Sequence, residues 1–340
     1  MHVAELSRIA NLLVADDKRL LAMDESTPTC NKRFSDLGIA QTQESRRTYR
    51  QLILTTPGLG NCISGVILYD ETIKQKTDEG IPFLKIIKDE GIVAGIKVDI
   101  GAKEMAGRPG EKVTEGLDHL RERLRDYREM GARFCKWRAV FSLADELPSK
   151  SCIEINTSTL AQYAVLCQEA GLVPIVEPEV LMSGDHNIER CSEITEEVLR
   201  TLFFELYKQD VILEGMILKP NMVLAGLSCS VQNSFEDVAD VTYKCFLRSV
   251  PAAVPAITFL SGGQSSELAS SRLNAMNIKF KSKSPWALAF SFARAIQQPG
   301  LEIWQGKKSN QLAAQKAIYH RAMCNRAARK GEYDVALERS

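Results

Sequence analysis

Several short apolar segments of the chain are followed by a lysine or a carboxylate. The residues in these positions are Asp24, Lys136, Glu177, Glu179 and Lys219. Burial favours the neutral form of an amine, and a neutral amine can attack a carbonyl carbon to form an imine. A neighbouring carboxylate can give and take the protons that imine formation requires. Together these residue types indicate covalent chemistry on a carbonyl compound, provided that the fold brings them to one place.

Each of these residues also has a plainer interpretation. Lys219 precedes Pro220, which fixes the backbone, yet an isolated lysine at a strand end usually extends its amine into solvent. Glu177 and Glu179 are two residues apart, so on a strand they face the same side, where a structural ion-pair network is equally compatible with them. Asp24 precedes a polar segment that suits either a general base in a loop or a simple turn or helix start.

A second group of residues indicates anion binding. Ser261-Gly262-Gly263 follows an apolar segment and exposes backbone N–H groups, and Arg294 follows the next apolar segment. In a (β/α)8 barrel the loops after the seventh and eighth strands form a common phosphate site, where an arginine adds charge-assisted hydrogen bonds. Other cations predicted on the same face suggest a second anion, although a solvated basic surface would give the same pattern. These cations are Lys32, Arg33, Lys97 and Arg138.

Eight short apolar segments predict the elements that position these residues. They span 20–23, 63–68, 92–96, 132–135, 172–176, 216–218, 256–260 and 286–290. Such nearly continuous apolar segments are typical of parallel strands buried on both faces. Amphipathic helical patterns fill the gaps, for example the spacing of Leu117, Leu120, Leu124 and Tyr127. Eight strand–helix units predict a (β/α)8 barrel, whose active site lies at the C-terminal ends of the strands.

An open, doubly wound sheet is the alternative architecture. Its usual Gly-x-Gly-x-x-Gly motif is absent, because Ile63 stands where the third glycine would follow Gly58 and Gly60. No linker or low-complexity segment divides the chain, so we predict a single domain over 1–340. This domain includes an N-terminal helix at about 3–14 and a short basic C-terminal helix and tail at about 308–340.

Composition argues against several other classes of protein. The chain has 43 Lys+Arg and 43 Asp+Glu, a balance that disfavours binding to nucleic acid or to an anionic membrane. No segment has the pattern of a secretory signal or a transmembrane helix. Nine scattered cysteines without a Cys-x-x-Cys motif favour a reducing cytosol. None of the four histidines pairs with another at metal-ligand spacing, so a histidine-built metal site is not expected.

Seven segments, in this order, resemble class I fructose-bisphosphate aldolases, the metal-independent family that uses a lysine Schiff base. They are LLAMDEST (20–27), GIKVD (95–99), FCKWRAV (134–140), VPIVEPEVLMSGDH (173–186), EGMILKPNMV (214–223), TFLSGGQS (258–265) and PWALAFSFARAIQ (285–297). The resemblance implies a cytosolic homotetramer of glycolysis and gluconeogenesis that needs no metal or cofactor. Its reaction would be the reversible cleavage of fructose 1,6-bisphosphate to dihydroxyacetone phosphate and glyceraldehyde 3-phosphate.

The resemblance also implies roles for individual residues. Lys219 would form the imine, Glu177 would be acid and base for the carbinolamine, and Lys136 would assist it. Asp24 would accept the proton of the hydroxyl beyond the scissile carbon–carbon bond, and Glu179 would order the lysines. The phosphate nearest the ketone would be held by Ser261, Gly262, Gly263 and Arg294. The distal phosphate would be held by Lys97, Arg138, Ser26 and Thr29, with Lys32 and Arg33 nearby.

The chain departs from the family pattern in four places. Pro28-Thr29 replaces a common Gly-Ser, Ile100 replaces a lysine after GIKVD, and Ala293 replaces a glycine before the arginine. The terminal tyrosine of many animal and plant members is absent, although Tyr333 is close to the end. Two rival functions stay open. One is another Schiff-base lyase on this scaffold, either transaldolase-like or specific for fructose 1-phosphate, and the other is an inactive scaffold that binds a protein partner.

Overall fold

The computed structural model describes residues 3–144 and 146–339. In chain order its strands are β1 (Arg19–Ala22), β2 (Ile63–Leu68), β3 (Val93–Lys97), β4 (Gly101–Glu104), β5 (Lys112–Glu115), β6 (Phe134–Phe141), β7 (Val173–Val180), β8 (Ile217–Leu218), β9 (Ala256–Phe259) and β10 (Ala287–Phe292). Eight of these strands close into a parallel barrel in the order β1-β10-β9-β8-β7-β6-β3-β2. The predicted (β/α)8 barrel is therefore confirmed.

Helices surround the barrel and cover the outer faces of its strands. They are α1 (Val3–Leu12), α2 (Thr27–Ser35), α3 (Gln43–Leu54), α4 (Asp70–Ile73), α5 (Phe83–Asp89), α6 (Leu120–Met130), α7 (Lys150–Glu169), α8 (Ile188–Lys208), α9 (Phe235–Ser249), α10 (Ser266–Phe280), α11 (Arg294–Trp304) and α12 (Gln311–Lys330). Short 3-10 helices span Leu59–Asn61, Leu213–Gly215, Lys308–Asn310 and Val335–Arg339. Local signals set several ends, as at α9, where Ser234 and Asp237 form a capping box.

Apolar side chains fill the N-terminal end of the barrel. The ring of Phe134 on β6 lies so close to Gly95 on β3 that a Cβ atom at Gly95 would overlap it. Leu6 and Ile9 of α1 belong to the same buried cluster as Phe134, so α1 closes this end. A packed floor of this kind excludes water. The open, polar end is therefore the C-terminal end of the strands, as the fold class requires.

Two strands extend further than their apolar segments. The sequence predicted the fourth and fifth strands at 132–135 and 172–176, but β6 and β7 continue through their charged residues to Phe141 and Val180. In the register of this pair Arg138 lies opposite Glu177. A strand need not end where charged residues begin if the adjacent strand supplies opposite charges, and this explains the longer strands.

The antiparallel hairpin of β4 and β5 was not predicted. It follows β3 and lies over the C-terminal end of the barrel. Its strands are short, polar and half exposed, with the sequences GAKE and KVTE. They therefore lack the apolar alternation from which a strand is recognised.

The two ends of the chain differ in detail from the predicted ranges. Helix α1 ends at Leu12 rather than near residue 14. At the other end α12 is followed by the 3-10 helix Val335–Arg339, and residues 1, 2, 145 and 340 lie outside the described part. No described helix is both long and apolar enough to cross a membrane. That 1–340 forms one domain stays a prediction.

Candidate active site

Four buried charged residues form a continuous series at the C-terminal end of the barrel. The Lys136 ammonium lies 2.7 Å from Asp24 Oδ2 and 3.1 Å from Glu177 Oε2. The Lys219 ammonium lies 3.1 Å from Glu177 Oε1. Each of the four residues is at most 8% exposed. We call Asp24, Lys136, Glu177 and Lys219 the lysine cluster.

Adjacent strands of the barrel position this cluster. Lys136 lies on β6 and Glu177 on β7, and both side chains face the barrel interior. Lys219 directly follows β8, where its backbone N–H donates to the Val176 carbonyl at 2.8 Å. Asp24 follows β1 and reaches the cluster from another side of the mouth. The expectation that residues at different strand ends meet is therefore correct for these four residues.

Burial and charge act in opposite directions on the cluster. Burial alone would raise the pKa of Asp24, but the charges of Lys136 and Lys219 lower it to about 2. Burial would likewise raise the pKa of Glu177, yet the same two lysines hold it below its usual value. For Lys136, burial would lower the pKa, but Asp24 and Glu177 raise it above its usual value. At neutral pH, therefore, both carboxylates are ionised and Lys136 is a cation.

A cavity of about 790 Å³ opens beside the cluster, and both Asp24 and Lys136 line it. Its wall is rich in hydroxyls and cations, which are Ser26, Thr29, Lys97, Lys112, Arg123 and Arg138. Ser26 and Thr29 are 3.1 Å apart through their hydroxyl oxygens. Lys97 is paired with Asp99, and Arg138 is paired with Glu179. The cavity therefore offers an anionic ligand several donors held in place by buried carboxylates.

A second cavity of about 490 Å³ lies beside the loops after β9 and β10. Gly263 and Arg294 line it, together with residues of the first turns of α10 and α11. Ser261 is buried, and Gly262 and Gly263 have φ of 58° and 97°, a left-handed conformation that favours glycine. Helix N-termini and exposed backbone N–H groups attract phosphate. Ala293, which replaces the family's glycine, has a φ of −105° and so needs no glycine.

Two cations predicted near the distal phosphate lie elsewhere. Arg33 lines the second cavity rather than the first, and it donates to Glu25 and Gln298. Lys32 has a side chain that is 80% exposed and pairs with Asp36 at 3.8 Å. Because these neighbours lie on a helix, α2, their side chains leave it on different faces. Neither residue therefore lines the large cavity with the other cations predicted at the distal phosphate, and a role of either in phosphate binding stays a prediction.

The position of Glu179 also differs from expectation. It lies on the same face of β7 as Glu177 but further towards the mouth, opposite Val140. Its ion-pair partner in the described part of the chain is Arg138. It therefore orders an arginine that lines the large cavity, rather than the two lysines.

The segment after Asp24 is a helix start rather than a stiffened loop. Pro28 lies in the first turn of α2, where its fixed φ suits the helix and its missing N–H costs nothing. Thr29 consequently faces the large cavity from a helix end.

Three residues that line the large cavity had no role assigned to them from the sequence. Asp99 is 6% exposed and pairs with Lys97 through both a carboxylate oxygen and its backbone carbonyl. Arg123 lies on α6 and donates to the Val98 carbonyl at 2.9 Å. Lys112 lies on the unpredicted hairpin. Asp99 had a signal, since it follows the third apolar segment, whereas Arg123 resembles any charge on a solvated helix face.

Comparison with known proteins decides the family. The model of the family described as fructose-bisphosphate aldolase class-I matches residues 5–340. The chain belongs to the class I fructose-bisphosphate aldolase family. A probable class 1 fructose-bisphosphate aldolase of Xanthomonas campestris pv. campestris is 52% identical over 334 residues, covering 98% of this chain and 99% of that protein. A cytosolic fructose-bisphosphate aldolase of Arabidopsis thaliana is 48% identical, covering 96% of this chain and 93% of that protein.

A solved structure of the Plasmodium falciparum fructose-bisphosphate aldolase superposes with a TM-score of 0.96 at 44% identity, covering 98% of this chain and 96% of that one. The predicted family and the predicted enzyme class, a carbon–carbon lyase, are thus confirmed. Class I aldolases are the metal-independent, Schiff-base type and act on sugar phosphates. The roles of individual residues in this aldolase remain predictions.

Proposed function

We propose that the chain reversibly cleaves fructose 1,6-bisphosphate to dihydroxyacetone phosphate and glyceraldehyde 3-phosphate through an imine on Lys219. The observation that best supports this is the position of Lys219 between two anion-binding regions. On one side, β3 and β6 hold Lys97 and Arg138 at the large cavity. On the other side, the loops after β9 and β10 hold Gly263 and Arg294 at the second cavity. A ketose with a phosphate at each end would span this mouth and place its carbonyl at the lysine.

Glu177 is placed to move the protons of imine formation. Its Oε1 lies 3.1 Å from the Lys219 nitrogen, within reach of the proton that the amine must lose. The amine then attacks the ketone carbon to give a carbinolamine. Glu177 returns a proton to the carbinolamine hydroxyl, which leaves as water, and the protonated imine forms. Lys136 forms an ion pair with the other oxygen of Glu177 at 3.1 Å and so favours the ionised carboxylate.

Asp24 is placed for the cleavage step. It lies at the far end of the lysine cluster from Lys219, and it lines the cavity that contains the proposed distal cations. We assign it the proton of the hydroxyl beyond the scissile bond. As this proton leaves, the bonding electron pair of the carbon–carbon bond moves to the imine, which becomes an enamine while the aldehyde departs. Protonation of the enamine and addition of water then release dihydroxyacetone phosphate and free Lys219.

Borohydride trapping tests the proposal directly. The purified chain is incubated with dihydroxyacetone phosphate, a chelator and borohydride, and the labelled peptide is identified by mass spectrometry. We expect one stable adduct on Lys219, and activity unaffected by the chelator. Glycerol 3-phosphate, which has no carbonyl, is the matched control and should label nothing. No adduct on Lys219, or activity that the chelator abolishes and metal restores, would contradict the mechanism.

The choice between one and two phosphates is a separate test. We expect a higher kcat/KM for fructose 1,6-bisphosphate than for fructose 1-phosphate, because Lys97 and Arg138 bind the distal phosphate. Loss of this preference in Arg138→Ala would assign it to the large cavity. Equal kcat/KM values for the two sugars would contradict distal-phosphate binding by these cations, and a higher value for fructose 1-phosphate would favour the rival aldolase that prefers this sugar. An inactive protein that binds another protein would favour the scaffold hypothesis.

We also propose that the chain is a cytoplasmic homotetramer. The exposed apolar side chains Phe204 and Tyr207 on α8 and Leu247 on the neighbouring α9 support self-association. The cytosolic relative from Arabidopsis supports the location. Sedimentation analysis tests the assembly, where a monomer at micromolar concentration would contradict it. Cell fractionation tests the location.

A further inference from the structure

Three metal-ligating side chains converge far from the residues described so far. His320 and Cys324 lie one turn apart on α12, and Glu338 lies on the 3-10 helix Val335–Arg339. Cys324 Sγ is 3.5 Å from His320 Nε2, and Glu338 Oε2 is 3.8 Å from the same nitrogen. The three ligand atoms all lie within 4.8 Å of one another. None of these residues belongs to the proposed catalytic or phosphate-binding groups.

The arrangement does not suit a nucleophilic relay. In such a relay the thiol faces one ring nitrogen of the histidine and the carboxylate faces the other. Here both the thiol and the carboxylate face Nε2. Three donor atoms grouped about one point are instead the geometry of a metal site.

We propose that His320, Cys324 and Glu338 bind a zinc ion. Zinc bonds of about 2.3 Å to sulfur and about 2.0–2.1 Å to nitrogen at a tetrahedral angle place the two atoms about 3.6 Å apart. The observed separation of Cys324 Sγ and His320 Nε2 is 3.5 Å. A zinc-bound carboxylate oxygen lies about 3.4 Å from the nitrogen. Glu338 Oε2, at 3.8 Å, therefore needs only a small movement.

Neighbouring groups hold the carboxylate in this orientation. Tyr333 donates its hydroxyl to Glu338 Oε1 at 2.6 Å, which leaves Oε2 directed at His320. Arg321 donates to both oxygens of Glu338. Hydrogen bonds of this kind to a ligating carboxylate are a regular feature of metal sites. The charge of Arg321 opposes a cation, so we expect weaker binding than in a site of cysteines alone.

The fourth ligand position is left to water. The His320 side chain is 30% exposed, which gives the ion a route from solvent. A thiolate, an imidazole and a carboxylate together favour zinc over the harder calcium and magnesium ions. Bound zinc would connect the C-terminal 3-10 helix to α12 and stabilise that contact, because binding only the folded arrangement shifts the equilibrium towards it.

Metal binding by the purified full chain tests the site without reference to catalysis. We expect one equivalent of zinc in calorimetric titration of the chelator-treated protein. Cobalt in its place should give a thiolate-to-metal charge-transfer band. Cys324→Ser and His320→Gln should each weaken zinc binding by at least about 100-fold, and Tyr333→Phe by about tenfold. Cys229→Ser, which changes a half-exposed cysteine elsewhere, is the matched control and should bind as the unmodified protein does.

Two outcomes would overturn the proposal. One is the absence of stoichiometric zinc binding by the unmodified protein. The other is equal binding by Cys324→Ser and the unmodified protein, which would place the ion on unrelated surface groups. Thermal unfolding in chelator shows whether each variant folds. If Cys324→Ser does not fold, His320→Gln and Tyr333→Phe decide the matter, because the His320 side chain is 30% exposed and Tyr333→Phe removes only a hydroxyl group.

Discussion

Asp24 and Glu25 are neighbours in the chain, yet they belong to two different charged clusters. Asp24 faces the lysine cluster. Glu25 accepts hydrogen bonds from Arg33 at 2.5 Å and from Arg50 at 2.7 Å, and we call these three residues the arginine cluster. Both carboxylates are buried, and their cationic neighbours hold both pKa values below the usual range. The two clusters therefore differ in the chemistry of their cations rather than in their burial.

The arginine cluster holds neighbouring elements of the fold in position. Arg33 also donates to Gln297 at 3.1 Å, and Gln297 donates in turn to the Ala22 carbonyl. These bonds connect the end of β1 with α2, α3 and α11. Guanidinium groups stay charged at any physiological pH, so this cluster cannot exchange protons. Lysine amines can lose a proton and move on a flexible stem, so the lysine cluster can do chemistry that the arginine cluster cannot.

The largest effect should come from removing the proposed nucleophile. In Lys219→Met we expect kcat to fall by a factor on the order of 10⁴ or more, because Asp24 and Glu177 raise the pKa of the other amine of the cluster, Lys136, and so keep it a non-nucleophilic cation. The fold should remain, since Lys136 still pairs with Glu177. Steady-state kinetics and circular dichroism measure the two quantities. Activity within tenfold of the unmodified protein would show that Lys219 is a structural lysine.

In the arginine cluster we expect a substitution to reduce stability and to leave activity nearly unchanged. Arg50→Met should lower the free energy of unfolding by about 3–5 kcal/mol, because it leaves the buried Glu25 with one partner fewer. The kcat of the folded fraction should change little. Urea unfolding measures the loss, and Arg121→Met is the matched control. Arg121 pairs with Glu169, but both side chains are about half exposed and solvent screens the pair, so we expect a much smaller loss of stability than in Arg50→Met. Equal costs at the two arginines would contradict the positional role.

The lysine cluster was largely predictable, and the arginine cluster was not. Lys219, Glu177 and Lys136 each follow an apolar segment, and closing a barrel necessarily brings strand ends together. Arg33 looks the same in sequence as any cation near the mouth. Its actual neighbours include Gln297, which is 264 residues away in the chain. A pattern within a short stretch of sequence cannot predict a contact between residues so far apart in the chain.

The same limit applies to the hairpin and to the proposed zinc site. Strands β4 and β5 are too short and too polar to show the alternation of apolar and polar residues that indicates a strand. His320 and Cys324 have helical spacing, but Glu338 joins them only because the chain folds back after α12. Tertiary contacts of polar side chains therefore account for most of what the sequence did not predict.

Acid titration probes the charge interactions within the lysine cluster. The pKa of Asp24 is about 2 in the folded chain, against about 3.9 for an unperturbed aspartate. A carboxylate with a lowered pKa stabilises the fold above its unfolded value, and this stabilisation is lost as the pH falls from about 4 through about 2. The loss should amount to about 2 kcal/mol. Glu177 and Glu25 also have lowered pKa values and lose stabilisation in acid. The contribution of Asp24 is therefore obtained from the difference in stability between the unmodified protein and Asp24→Asn.

The measurement compares urea unfolding of the unmodified protein and Asp24→Asn between pH 2 and 5. The difference in stability between them should shrink as the pH falls. Asp36→Asn removes an exposed carboxylate paired with Lys32 and should show no such trend. Parallel curves for Asp24→Asn and the unmodified protein would mean that Lys136 does not stabilise the ionised form of Asp24.

The smallest expected effect on activity comes from comparing two exposed cations near the C-terminal end of the barrel. Arg294 begins α11 beside Gly263, whereas Lys32 points into solvent from α2. For Arg294→Ala we expect kcat/KM for the bisphosphate to fall about tenfold, mainly through KM, because one charge-assisted hydrogen bond to phosphate is lost. Lys32→Ala should change it less than about twofold, since an exposed pair contributes little. Inhibition by inorganic phosphate should weaken in the first variant alone. Equal effects of the two substitutions would show that Arg294 contributes no more to phosphate binding than an exposed lysine does, and the second cavity would then lose its assignment as a phosphate site.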